Sequence, residues 1–189
     1  LKEEKEESPT KDAKEFATLL NACGRLDKAS LGIGACLGDK KIKRKAICLM
    51  SDYKREIIKS LKWYDENKTS SFVTKGNGYV IINAQDQIRS TLIGTLASIL
   101  SKSNNVQEKF IMSMAQLIDG TTKVSLRMCG INNGMDLKQI ISEITKDMPN
   151  CEAGGHAYAA GALIPTDMEE EFINKTKVIL EKRAMEEIV

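Results

Sequence analysis

Apolar side chains recur every three or four residues through the second quarter of this sequence: Ile42, Ala46, Leu49, Met50, Tyr53, Ile57, Leu61 and Tyr64. That period fits an amphipathic helix with one buried face and excludes a strand, whose faces alternate every second residue. It predicts one long helix over residues 40–66, ended by N-K-T-S-S. This helix divides the sequence into a short segment before it (residues 1–38), the stretch that holds it (39–68), and a longer one after it (69–189).

The flanks read differently from each other. Before the helix, Ala13, Phe16, Ala17, Leu19 and Leu20 suggest a short helix over residues 11–23, with Gly24 near its end. R-L-D-K-A-S-L-G-I-G-A-C-L-G-D follows as a second short apolar segment. After the helix the pattern changes. G-Y-V-I-I-N-A (78–84) is β-branched and reads as a buried strand. Asp86 is expected to cap a helix carrying Ile88, Leu92, Leu96, Ile99 and Leu100, broken by Ser103, Asn104 and Asn105. Residues 109–117 and 122–129 are strand-like and separated by D-G, a hairpin signal. Residues 135–148 carry Leu137, Ile140, Ile141 and Ile144 at helical spacing. C-E-A-G-G-H-A-Y-A-A-G-A-L-I-P (151–165) reads as a turn followed by a strand through 162–164. Thr166 and Glu169 then form a capping-box pattern that opens a final helix to Val189, with acidic residues 169–171 in its first turn. The sum is a helical arm before a strand-helix-strand-strand-helix-strand-helix body: an α/β fold, a mixed β-sheet with helices packed on it.

Charge and cysteine content narrow the chemistry. The net charge is only +2 over 189 residues, so anion binding must come from local clusters rather than from the global field. The five cysteines, Cys23, Cys36, Cys48, Cys129 and Cys151, form no C-x-x-C pair, and there is one histidine. They read as buried, reduced thiols of a cytoplasmic protein rather than a zinc site. No apolar run in these residues is long enough to span a membrane, and none reads as a secretory signal. The opening L-K-E-E-K-E-E-S-P-T-K-D, which lacks an initial Met, reads as a linker or a solvated helix end within a longer protein. No Asp-x-Asp, no Asp-His-His and no carboxylate–histidine cluster is present to hold two catalytic cations. The single His156 excludes a Ser-His-Asp arrangement with an evident acid. No catalytic residue and no metal ligand is expected in this chain.

Four features can meet an anion. Gly154 and Gly155 free their backbone N–H groups of side-chain bulk, and His156 adds a donor; the plain reading is a tight turn with a satisfied polar residue. Ser125 and Arg127 lie two apart in V-S-L-R-M and share one strand face, a hydroxyl beside a bidentate guanidinium that suits a phosphate; the plain reading is a half-exposed polar face. Arg25 follows a glycine in N-A-C-G-R-L, where the alternative is a helix C-cap with a solvated side chain. Lys40, Lys41, Lys43, Arg44, Lys45, Lys54, Arg55, Lys59 and Lys62 make the long helix basic, which reads first as a solvated face.

Taken together these motifs resemble a known family. G-G-H-A-Y-A-A-G (154–161) resembles the G-G-H-x-x-A-A-G signature of the DHH-associated domain, the C-terminal half of the DHH phosphoesterase superfamily. N-A-C-G-R-L is similar to a segment of RecJ-like single-strand exonucleases, V-S-L-R-M to their serine-x-arginine strand, and L-G-I-G-A-C-L-G-D to the archaeal members. The resemblance implies a division of labour. A DHH domain of the same parent chain, absent here, would bind Mn²⁺ or Mg²⁺ and activate water for phosphodiester hydrolysis. Residues 69–189 would bind single-stranded DNA or RNA through Gly154, Gly155, His156, Ser125 and Arg127, with Arg25 reaching the same cleft. It also implies two other roles: a non-catalytic scaffold associated with the GINS complex at replication forks, or a phosphoesterase acting on short oligonucleotides or nucleotides. The same domain ends alanyl-tRNA synthetases, but the long basic helix, which resembles the connector between the two domains of RecJ-like proteins, and the Arg25 segment fit that branch poorly.

Overall fold

The computed structural model describes residues 8, 10–103, 106–130 and 134–185. The charged opening residues 1–7, the expected break at Asn104 and Asn105, and the end of the final helix at Val189 lie outside the described residues. The chain forms two compact units, Leu1–Lys59 and Ser60–Val189, and the division falls inside the long helix.

The first unit is helical. Helix α1 spans Ala13–Arg25, capped by the Asp12 carboxylate, which accepts from Lys14 N and Glu15 N. The helix continues through Gly24, and the left-handed position after it falls to Asp27 (φ 58°). Lys28 N donates to Cys23 O and Asp27 N to Gly24 O, the paired bonds that satisfy the last carbonyls of a helix. Helix α2 (Ala29–Cys36) ends the same way on Gly38, and Asp39 then caps the next helix by accepting from Lys41 N and Ile42 N. Gly-Asp thus closes one helix and opens another. Leu19, Cys23, Ala35 and Ala46 form the buried centre of the unit, and Gly34 lies against Ile42, where a Cβ would come within 2.6 Å of the Ile side chain.

Helix α3 runs Lys40–Asn67, as its apolar stripe predicts. Its basic residues are mainly solvated: Lys40, Lys41, Arg44, Lys45, Lys54, Arg55 and Lys59 are exposed, and Arg55 pairs with Asp52 one turn away. Lys43 instead lies over the Phe16 ring, 5.9 Å from its centre.

The second unit is a six-stranded mixed sheet in the order β1-β2-β3-β4-β6-β5. Its strands are β1 (Val73–Gly76), β2 (Tyr79–Asn83), β3 (Phe110–Gln116), β4 (Thr121–Met128), β5 (Glu152–His156) and β6 (Ala159–Pro165). Only β2 and β3 are parallel, joined through helix α4 (Ile93–Leu100); β3 and β4 form the hairpin expected from D-G. Helices α5 (Leu137–Thr145) and α6 (Glu169–Met185) cover one face, where Tyr79, Ile81, Phe110, Met112, Met114, Val124, Leu126, Ala160, Ala162 and Ile164 meet Leu137, Ile140, Ile141, Ile144, Phe172 and Leu180. Helix α4 packs on β3 and β4 from the other face, and Ser113 Oγ donates to Ile93 O at 2.9 Å. No helix among the described residues is long and apolar enough to cross a membrane.

Three expectations are corrected. Asp86 does not cap α4, which begins seven residues later at Ile93. Asn83 Oδ1 accepts from Gln85 N, and Gln85 turns through a positive φ of 48°, so a side chain-stabilised turn displaces the first two helical turns. The capping box does not form either. Thr166 N donates to Gly120 O, a single 3-10 turn intervenes, and the Glu169 carboxylate accepts from Asn83 Nδ2 (2.8 Å), Gln116 Nε2 (3.1 Å) and Thr122 Oγ1. Glu169 is therefore a tie between α6 and the ends of three strands. The third correction concerns the glycine-rich stretch and bears on the site. Strand β1 is an addition rather than a correction, because V-T-K-G is too short for a period to show.

Candidate functional site

Gly154, Gly155 and His156 do not form a turn. They belong to β5, the edge strand, and the turn is Ala157–Tyr158 between the paired residues His156 and Ala159. Two glycines in a row are poor strand formers, and pairing to β6 with packing on α5 overrides that preference.

The register decides which side chains meet. Arg127 pairs with Ala159 and Ala159 with His156; Ser125 pairs with Gly161 and Gly161 with Gly154. Residues directly opposite share a face. Arg127, Ala159 and His156 therefore form one row across β4, β6 and β5, and Ser125, Gly161 and Gly154 form the next. Adjacent strands are about 4.8 Å apart, so the Arg127 and His156 backbones are separated by about 10 Å. Their long side chains can close on one anion from opposite sides, over a floor no taller than alanine.

Accessibility separates the members. Gly154 and His156 are exposed, Arg127, Ala159 and Gly161 are half-buried, and Ser125 is buried at 6%. Arg127 Nη1 donates to Leu126 O at 2.9 Å, which steadies the guanidinium against its own strand. Ser125 sits between Ser113 and Gly161 in the ladder, within the part of the face that α4 covers. Arg25 ends α1 in the other compact unit.

The three glycines have different reasons to be there. A Cβ on Gly161 would lie 2.4 Å from Val124 O, and one on Gly155 (φ 138°) would lie 2.4 Å from Ala159 O. Both are required by the sheet itself. A Cβ on Gly154 would meet nothing within 4 Å. Its bareness answers no packing demand in the chain and leaves main chain open to an incoming group. As an edge strand, β5 also leaves every second N–H without a ladder partner. Sequence patterns do not distinguish Gly154 from Gly155, nor do they single out Tyr158 at the tip, exposed at 72%. An aromatic residue in a two-residue turn of small neighbours is the available signal.

Neighbouring groups limit the chemistry. Burial and the Glu108 carboxylate push the Cys129 thiol up to about 11, so it is not a thiolate nucleophile at neutral pH. Among the described residues no group of three or more His, Cys, Asp or Glu side chains can hold a metal ion. The donors here do not fit a Mn²⁺ or Mg²⁺ centre. A groove of about 860 Å³ between α5 and α6 is lined by Glu143, Asp147, Asp167, Glu170 and Glu171 against Lys146 and Lys175; its charge disfavours a phosphate.

Comparison with known proteins agrees with this architecture. The chain is 26% identical over 174 residues to an uncharacterized protein of Methanocaldococcus jannaschii, an alignment covering 92% of this chain and 36% of the relative. RecJ from Thermus thermophilus, solved in complex with Mn²⁺, superposes with a TM-score of 0.67 at 14% identity over 90% of this chain and 24% of RecJ. A pGpG-specific phosphodiesterase from Vibrio cholerae superposes with a TM-score of 0.52 at 9% identity over 89% of this chain and 59% of the enzyme. The chain thus spans about a third of the M. jannaschii relative and a quarter of RecJ. The DHHA1 domain matches residues 76–182, which take in all of β2 to β6, and the chain belongs to the DHHA1 domain family.

Proposed function

We propose that this chain is the single-strand-binding portion of a RecJ-like, metal-dependent phosphodiesterase, and that its task is to hold a phosphate of the strand between Arg127 and His156. The Arg127–Ala159–His156 row carries the reading: two donor side chains flank a floor of small residues on one sheet face. Gly154 supports it, because its missing side chain serves no contact within the chain. Arg127 supplies charge and a forked donor, His156 a second donor from the edge strand, and the exposed main chain beside Gly154 room for the sugar–phosphate to lie close. The small floor suits an extended strand better than a helical duplex, whose backbone curves away from a flat surface. In this reading Ser125, buried at 6%, serves as packing beneath the row.

Hydrolysis in this reading depends on Mn²⁺ or Mg²⁺ held by residues of a DHH domain outside this chain. Alone, the chain binds without cleaving. The test is anisotropy of a labelled single-stranded oligonucleotide, titrated with the chain across a salt series. Binding that weakens steeply with salt, and weakens further on Arg127→Ala and His156→Ala, is expected. Unchanged binding by both variants would overturn the proposal. Comparing a long strand with a dinucleotide separates this role from that of a dinucleotide phosphoesterase: the strand is expected to bind more tightly.

A further inference from the structure

We infer that Tyr158 is a stacking platform for a nucleobase next to the phosphate held by Arg127 and His156. The inference rests on the single-strand reading above and adds a base-recognition element to it.

Tyr158 stands apart from the other tyrosines. Tyr53, Tyr64 and Tyr79 are each no more than 9% exposed, whereas Tyr158 is exposed at 72%. The large ring therefore stands in water. Its neighbours Ala157, Ala159 and Ala160 are too small to cover it. It occupies the turn between His156 and Ala159, whose Cα atoms are less than about 7 Å apart in such a turn. The ring is thus tethered within one nucleotide's length of the imidazole.

The tip is also held in place. Ala157 O accepts from Leu137 N at 3.1 Å, and Leu137 is the first residue of α5. An N–H in a first helical turn has no partner within its helix, so the hairpin tip and the helix start satisfy each other. A ring on a pinned turn loses less freedom when a ligand covers it.

Chemistry selects the ligand. A phenol face exposed beside a phosphate site offers a π surface to a planar ring, and every nucleobase has such a face. Bases inside a duplex are already stacked on each other, so the platform favours unpaired strands.

The experiment uses anisotropy with two labelled strands of equal length, an oligodeoxythymidylate and a strand of abasic residues. Tyr158→Ala is expected to weaken thymidylate binding by about 5- to 100-fold, leave abasic-strand binding unchanged and keep the salt dependence of the parent chain. Tyr158→Phe is expected to bind like the parent. The exposed position makes both variants neutral for folding. If Tyr158→Ala binds thymidylate as tightly as the parent while Arg127→Ala does not, the stacking role is overturned and the phosphate site stands. If the parent chain binds neither strand, both are overturned.

Discussion

Adding one methyl group to Gly154 or to Gly155 separates ligand binding from scaffold. At Gly155 the backbone has φ 138°, and the new Cβ would lie 2.4 Å from Ala159 O and 2.5 Å from Ala160 Cα. Both are backbone atoms, so neither can rotate away. The left-handed conformation alone costs an L-residue on the order of 1–3 kcal/mol, and the overlap adds to it. Gly155→Ala is expected to lose about 2–3 kcal/mol. For a domain of this size, at about 2–4 °C per kcal/mol, that is roughly 5–10 °C in Tm. At Gly154 a Cβ meets nothing within 4 Å and φ is not positive, so Gly154→Ala should stay within about 0.5 kcal/mol of the parent. Its effect should fall on the ligand. A methyl that keeps a phosphate from the main chain removes a charge-assisted hydrogen bond of about 1.5–3 kcal/mol, roughly 10- to 100-fold in affinity. Thermal denaturation and strand titration of the two variants make the measurement. Parent-like binding by Gly154→Ala, or a destabilisation as large as that of Gly155→Ala, would refute a ligand-facing role for Gly154.

Three further outcomes follow from the same geometry. Arg127→Ala should reduce the slope of log K against log salt by about 0.7, one phosphate contact on a single strand; an unchanged slope would place Arg127 outside the interface. Glu169→Ala should cost about 2–4 kcal/mol in urea denaturation, because Asn83, Gln116 and Thr122 lose a shared charged acceptor that is partly solvated; a loss under about 1 kcal/mol would deny its role as a tie. Cysteine alkylation followed by mass spectrometry at about pH 8 should label Cys36 and Cys48 first, because both are exposed, against the burial expected of a reduced thiol. Cys129, its thiol pushed up to about 11, should react only as the pH approaches that value, because below it the unreactive protonated form predominates. Rapid labelling of Cys129 in the same mild alkali would contradict this.

Long periods were legible in the sequence. The stripe from Ile42 to Tyr64 is one helix because its apolar positions must share a face, and Ile140, Ile141 and Ile144 mark α5 for the same reason. The D-G hairpin followed from turn chemistry. Where local side-chain bonds competed with the backbone, the pattern misled. Asp86 has the look of a cap, yet Asn83 and Gln85 had already bent the chain. Glu169 has the spacing of a capping box, but its carboxylate is claimed by three strands distant in sequence. Gly154 and Gly155 suggested a turn because their strand is stabilised by neighbours rather than by its own residues. The Ser125–Arg127 pairing on one face was legible from spacing; the burial of Ser125 was not, since it depends on where α4 lies. Nothing in the sequence shows that Arg127 and His156 fall in one row, because register across three strands is a tertiary fact.

The most direct test is a ¹H–¹⁵N NMR titration of the chain with a short single-stranded oligonucleotide. The amides of Gly154, Gly155 and His156 and the Arg127 side-chain Nε are expected to shift together, along one binding curve. Shifts confined to the acidic groove between α5 and α6, with that row silent, would contradict this.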